Sequence, residues 1–376
     1  MSDSDWQRAT DISKTAIWVA AARAIGAREP DSRARNPDYL AERLLGEPSA
    51  LDLEHPVIDA LSASYDEAMR DMEIAGIVRA MTERTRFIDE ALERAIDAGA
   101  TQVLIPGAGF DSHAYRCREL LASARVFELD RPATSAFKRR RVDEVLGGPP
   151  SNVTYVAIDL AQQDAFAALA RHGYDVSLRT FVIMEGLTMY VPEEALRAVF
   201  RFVAAHAPGS SVVFDFATRS MIEGIKQIDL AAVPPAARPG LERFLNMTRN
   251  EPWVFGFTVG REQEWLAELQ LELGELLTIG SEESIRRYLT KADGTTVGAE
   301  GHAKAEALRK AAHARIVAQM PADQQSMIAE RLREQERQNA YRIAEAAVAR
   351  EEGTDLFIWA SGRHRCIRAR RQWTPK

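Results

Sequence analysis

Gln102-Val103-Leu104-Ile105-Pro106-Gly107-Ala108-Gly109-Phe110-Asp111 is the stretch from which the rest of the chain can be read. Gln102 to Ile105 form a short, mostly apolar run bounded by Pro106-Gly107, as expected of a buried parallel strand ending in a turn. Gly107 and Gly109 permit positive φ and let the backbone approach a ligand closely. Backbone N–H groups there, and at the start of the next helix, can meet a polar ligand. A G-x-G pair alone is weak, because many strand–helix turns contain one, so its meaning depends on what surrounds it.

Similar runs follow at Arg125–Leu129, Val153–Ile158, Thr180–Met184 and Ser211–Phe216, with helical stretches between them. Strands alternating with helices imply βαβ units, a parallel sheet and helices on both faces. The expected class is α/β, a doubly wound, mostly parallel sheet of seven strands. The sixth is expected near Leu273–Ile279 and the seventh at Thr354–Ala360. Upstream, residues 11–27 and 57–98 carry apolar positions at helical spacing. Four regions result: a helical cap over 1–98, an α/β core over 99–219, an insertion over 220–260, and the end of the sheet over 261–376. The insertion holds Pro234, Pro235 and Pro239, and on the ligand side of such a sheet it reads as a lid or substrate wall. The last region contains a helical insertion at about 291–350, rich in Ala, Glu, Arg and Gln, which packs, is solvated, or makes a homodimer contact.

Bulk properties remove other classes. The 376 residues are 46% apolar and 27% charged, an ordinary soluble composition with enough chain for a large core. A net charge of −7 argues against coating nucleic acid. The only cysteines, Cys117 and Cys366, make neither a disulfide framework nor a CxxC metal pattern, and no metal is expected. No apolar run reaches the roughly 18 residues that span a bilayer. Met1–Ala20 lacks the apolar stretch of a signal peptide, so the expected location is cytoplasmic, away from membranes.

Acids end three successive strands. Asp130 closes Glu128-Leu129-Asp130, where a carboxylate is placed to accept from ribose hydroxyls. Asp159-Leu160 ends the third, where an acid can accept from an adenine amino group while Leu160 packs on the ring. Glu185-Gly186 ends the fourth, followed by Tyr190 and Pro192. Singly each acid reads as a cap or solvated turn. Together, behind a glycine turn, they point to one nucleoside-binding crevice. Dinucleotide dehydrogenases share the first two features but usually need a third glycine, and Ser112 stands there.

The motifs in order resemble the leucine carboxyl methyltransferase family, in particular its bacterial branch of S-adenosylmethionine-dependent methyltransferases. The resemblance runs through Ser13-Lys14-Thr15-Ala16, Ala20-Ala21-Ala22-Arg23, Arg84-Thr85-Arg86-Phe87-Ile88-Asp89, Gly107 to Ser112, Ala114-Tyr115-Arg116, Phe127 to Pro132, Asp159-Leu160 and Glu185 to Tyr190. It covers roughly residues 10–290 and resumes near 354–362. It implies a Rossmann-like class I methyltransferase fold and S-adenosylmethionine as cofactor. It further implies that Lys14 and Arg84 hold the methionine carboxylate and that Gly107 lies beside the methionine. Asp130 then meets the ribose, Asp159 and Leu160 the adenine, and Glu185 the amino-acid end. Two features depart from the pattern. His113 stands where the branch usually has arginine, and the insertion at about 291–350 is longer than usual.

The resemblance, together with the absence of an obvious base in the turn after the fourth strand, implies O-methylation of a carboxylate on a small molecule or peptide, an acceptor already ionised at neutral pH that needs no base. The alternatives are a hydroxyl O-methyltransferase of natural-product metabolism, an NAD-dependent oxidoreductase, and a non-catalytic binding module. No residue is an unambiguous base. His113, Tyr115 and Tyr190 are the candidates for contact with the acceptor.

Overall fold

The structure, a computed structural model, describes residues 13–47, 54–159, 165–233, 235 and 238–348. Five parallel strands come first: β1 (Gln102–Pro106), β2 (Arg125–Asp130), β3 (Val153–Ala157), β4 (Thr180–Met184) and β5 (Ser211–Ala217). They are joined by β6 (Leu271–Thr278) and β7 (Tyr341–Val348) in a seven-stranded sheet ordered β3-β2-β1-β4-β5-β7-β6. β7 runs antiparallel between β5 and β6 and is, among the described residues, the one reversed strand. The expected doubly wound, mostly parallel sheet is therefore present.

The strands read as continuous apolar runs because both faces are buried. Val103, Ile105, Phe181, Ile183 and Val213 face one layer. Their neighbours Leu104, Val182, Met184, Val212 and Phe214 face the other, as the two-residue period of a strand requires. On the first face lie α1 (Lys14–Gly26), α2 (Ala41–Leu45), α3 (Pro56–Asp59), α4 (Tyr65–Arg70) and α5 (Met72–Asp97). The short α6 (His113–Arg116) follows the glycine turn, and α7 (Pro132–Leu146) packs on the same face. The second face is covered by α8 (Ala165–Arg171), α9 (Glu193–Ala204) and, after α10 (Arg219–Lys226) and α11 (Arg238–Asn250), by α12 (Glu262–Ala267).

The helical stretch expected over 57–98 is divided, and its caps say why. Ser64 and Glu67 form a reciprocal capping box that starts α4, and the Asp71 carboxylate accepts from the N–H groups of Glu73 and Ile74 to start α5. Asp71 also ends α4, so one residue closes one helix and founds the next.

The C-terminal half follows with α13 (Glu282–Tyr288), α14 (Ala299–Ala318) and α15 (Gln325–Gln338). Gly301 lets α14 lie directly on α5, since a Cβ there would come within 2.7 Å of the Ala75 Cβ. The insertion is thus helical, but it ends earlier than expected. Tyr341–Val348, read from composition as helix, is β7, with Ile343 buried on one face and Ala344 and Ala346 on the other. Ala and Glu favour a helix locally, but pairing with β5 and β6 overrides that preference. The strand expected at Thr354–Ala360 lies outside the described residues. Among the described residues no helix is long and apolar enough to cross a membrane.

Phe214 sits at the centre of the second layer, edge-on to Phe200 and stacked near Phe216. Phe214→Ala should cost about 3–5 kcal/mol of folding stability, read as a lower urea midpoint. A midpoint within error of wild type would mean that the layer repacks freely.

Candidate functional site

Strand order reverses between β1 and β4, and ligands of such sheets bind outside the carboxyl ends of the strands at that point. The turn leaving β1 is left-handed at Gly107, with φ 67°, and at Gly109, with φ 38°. A Cβ at Gly107 would come within 3.2 Å of the Leu187 side chain, so only glycine keeps this turn close to the turn after β4. Asp130 secures it from β2, its carboxylate accepting from the Gly109 N–H at 2.6 Å and from the Arg131 N–H at 2.7 Å. A cavity of about 1090 Å³ opens here, lined among others by Gly107, Gly109, Asp130, Asp159, Glu185 and Arg84. The three strand-end acids therefore share one crevice. The volume is at the upper end for a small-molecule site and leaves room beyond a single ligand. Leu160 lies outside the described residues.

A buried charge cluster closes one end. Arg84 of α5 reaches Glu185 with one guanidinium nitrogen and Asp215 of β5, at 2.9 Å, with another. Arg23 of α1 also bonds Glu185 at 2.9 Å, reaches the Phe110 carbonyl at 2.8 Å, and lies 3.0 Å from Asp38. Tyr341, the first residue of β7, donates to Asp215. Burial pushes the Glu185 pKa up, but Arg84 and Arg23 outweigh it and hold the group below the usual range. Asp215 goes the other way: burial dominates and raises it despite Arg84. Glu185 is thus an ionised carboxylate engaged with two cations and is not available as a base. Lys14 does not join this cluster. It is exposed on the first turn of α1 and does not line the cavity.

The three acceptor-contact candidates separate. His113 is fully buried, with Nδ1 2.8 Å from Asp111 and Nε2 3.1 Å from Asp89. Burial alone would lower its pKa, but Asp111 above all, with Asp89, pushes it up to about 10. The ring is an imidazolium at neutral pH, unable to accept a proton. Arg116 shares Asp89 with it. A cation therefore occupies the position where the bacterial branch carries arginine. Asp111, His113 and Glu185 place ligand atoms within 4.8 Å of one another, but the imidazolium and the two arginines already neutralise these acids. Tyr115 is buried beneath the sheet edge, donating to Glu128 at 2.9 Å and sharing a hydrogen bond with Tyr155. His113 and Tyr115 are core residues, and of the three only Tyr190 lines the cavity. Burial raises its phenol, opposed by the nearby Trp253 and Thr15.

The opposite wall comes from α1, α5 and the segment after β5. Trp18, Ile77, Arg243, Phe244, Glu251 and Trp253 line it. Arg243 bonds Glu73 of α5, and His55 lies 3.8 Å from the same carboxylate. Glu251 accepts from the hydroxyls of Thr15 and, at 3.2 Å, Ser13. Met221, Gly240, Arg243, Phe244 and residues 251–254 of the 220–260 segment thus line the cavity.

Sequence reasoning assigned no role to Arg23, Asp215 or Glu251. A signal existed for two of them. Arg23 interrupts Ala20-Ala21-Ala22 and Ala24-Ile25, and Asp215 interrupts Val212-Val213-Phe214 and Phe216. A charge with no polar face beside it must be buried with a partner. Glu251 follows a polar helix end and carries no such mark.

The leucine carboxyl methyltransferase family matches residues 16–204 of the chain. A protein of Mycolicibacterium vanbaalenii, named as an S-adenosyl-L-methionine-dependent methyltransferase, is 33% identical over 230 residues, 57% of this chain and 70% of that one. A protein of the same name from Mycobacteroides abscessus is 36% identical over 216 residues, 57% of this chain and 67% of that one. Among solved structures, a DUF574 family protein from Streptomyces avermitilis aligns with a TM-score of 0.44 at 15% identity, over 86% of this chain and 99% of that one.

His113 provides a pH test. Its folded pKa of about 10 exceeds the unfolded value of about 6.5, so its stabilisation is complete below about pH 6.5 and is lost as pH rises toward 10. His113→Gln should be less stable than wild type by roughly 3–5 kcal/mol at pH 6, because two buried acids lose a cation. The gap should narrow by pH 10 in paired urea titrations. A gap that stays constant across this range would mean that the ring is neutral.

Proposed function

The chain belongs to the leucine carboxyl methyltransferase family and is an S-adenosylmethionine-dependent methyltransferase; from that premise we propose that it methylates an oxygen of a small acceptor seated between α1, α5 and α11. The nicotinamide oxidoreductase and the non-catalytic module are set aside by the same membership. The observation that carries the proposal is the division of the cavity. Its sheet side bears the glycine turn and three strand-end acids, while its helical side is mostly apolar and aromatic.

The residues present fit the cofactor. Its amino-acid end is a zwitterion and needs both cationic and anionic partners. Arg23, Arg84 and Glu185 offer both in one buried cluster. In this assignment Arg23 supplies the second cation that the resemblance places at Lys14. Asp130 would accept from the ribose, Asp159 from the adenine, and the Gly107 turn would pass beside the methionine. The bound cofactor supplies an electrophilic methyl group, so the chain's part is to align an acceptor and exclude water.

Two oxygen nucleophiles are in question. A hydroxyl is favoured by Glu251, a carboxylate on the acceptor wall with no cation within 4 Å among the described residues. The carboxylate expected from the family is the second reading. It is favoured by Arg243 on the same wall, which would exchange Glu73 for the acceptor, and by the engagement of Glu185. Alkali separates them: an ester product releases methanol, and an ether survives.

S-adenosylmethionine should bind in the micromolar range, about −8 kcal/mol. Asp130→Ala and Asp159→Ala should each weaken it by about 1–3 kcal/mol in calorimetry, with the fold retained, because each removes a charged acceptor. Wild-type affinity in both variants would move the cofactor out of this crevice.

A further inference from the structure

Glu251 stands where the two ligand-binding turns meet. Its carboxylate is held by Thr15 and Ser13, and the adjacent Ala16 methyl packs against the Gly109 turn, 3.6 Å from where a Cβ there would lie. Three residues on, Val254 donates its N–H to the Met189 carbonyl at 2.8 Å, fastening the segment to the turn after β4. The chain thus delivers Glu251 between the Gly107–Gly109 turn and the Glu185–Tyr190 turn. Only Oε2 is used: Oε1 has no hydrogen-bond partner among the described residues. The charge of Glu251 raises the Tyr190 phenol beside it.

The surrounding wall has a particular chemistry. Phe244 and Trp253 meet edge to face, with centroids 5.5 Å apart, and Trp18 completes the lining. The indole N–H of Trp18 is buried and meets no acceptor among the described residues, and that of Trp253 faces the Tyr190 hydroxyl. Flat aromatic walls suit an aromatic body, and the unfilled N–H donor of Trp18 suits an oxygen gaining negative charge.

We propose that Glu251 is the catalytic base of this methyltransferase and that its acceptor is a phenol-type hydroxyl on an aromatic body. The inference rests on the O-methyltransferase reading above and adds the proton acceptor and the substrate class. The hydroxyl oxygen bonds to the methyl carbon as the carbon–sulfur bond breaks, the electron pair staying on sulfur. The hydroxyl proton passes to Glu251 Oε1 and from there to solvent. A phenol, at a pKa of about 10, is almost wholly neutral at pH 7 and requires this step, whereas an acceptor already ionised does not.

The test compares 4-methylphenol with 4-nitrophenol, which is substantially ionised near neutral pH, using the full chain, wild type and Glu251→Gln. The glutamine should lower the rate with 4-methylphenol roughly 100- to 10,000-fold and that with 4-nitrophenol less than about tenfold. Calorimetric affinity for S-adenosylmethionine should change less than about twofold. Equal losses with the two phenols, or no loss with either, overturn the assignment of Glu251. A wild-type chain that binds S-adenosylmethionine but methylates phenylacetate and neither phenol overturns the substrate class and leaves the methyltransferase standing. Methylation of none of the three also overturns the proposed class. Loss of cofactor binding in wild type would instead strike the reading on which the proposal rests.

Discussion

Two guanidinium groups, from arginines 61 positions apart in the chain, converge on the single carboxylate of Glu185 at the end of β4. Arg23 and Arg84 lie on α1 and α5, outside the βαβ succession, so this ion-pair cluster ties the N-terminal helices to the sheet. Taking several charges out of water is costly, and such a cluster is stable only when each group is met. Here Asp38 and Asp215 supply counter-charge and Tyr341 and the Phe110 carbonyl supply hydrogen bonds, while the Arg84 Nε–H has no partner among the described residues. The cluster also helps to fix the cavity, since the same two helices form part of its far wall. Removing either arginine would leave buried acid without its cation.

The glycine turn is the second constraint, and it depends on the first. Gly107 and Gly109 bring the backbone to the crevice, and Asp130 fixes the turn through the Gly109 N–H. Beneath it, His113 lies between Asp111 and Asp89 as an imidazolium. A buried acid pair there needs a cation, and a histidine raised to about 10 serves as arginine would. The departure from the family pattern at this position keeps the charge while changing the side chain.

The cofactor half and the acceptor half differ in how far the family speaks for them. The family match ends at residue 204, whereas Arg243, Phe244, Glu251 and Trp253 all follow it. Part of the acceptor wall is therefore supplied by a segment outside the family match, whereas Trp18 and Ile77 of the same wall and the glycine turn with its three strand-end acids lie within it. Fold and function are separable in just this way when a shared sheet carries variable walls.

The sequence by itself determined the local chemistry: the strand at 102–106, the glycines whose positive φ no other residue accepts cheaply, and the acids ending β2, β3 and β4. These are legible because each is dictated by immediate neighbours, through the two-residue period of strands and the steric demands of a turn. Tertiary structure alone decided the rest. It placed Arg23, 162 residues from Glu185, in the cluster and left Lys14 exposed. It made a strand of Tyr341–Val348 against its helical composition, because pairing with β5 and β6 is a long-range gain that local propensity does not contain. It charged His113 by enclosing it between two acids, and it brought Glu251 to Thr15, 236 residues away. Which buried charges meet depends on how the layers stack, and stacking is a property of the whole chain.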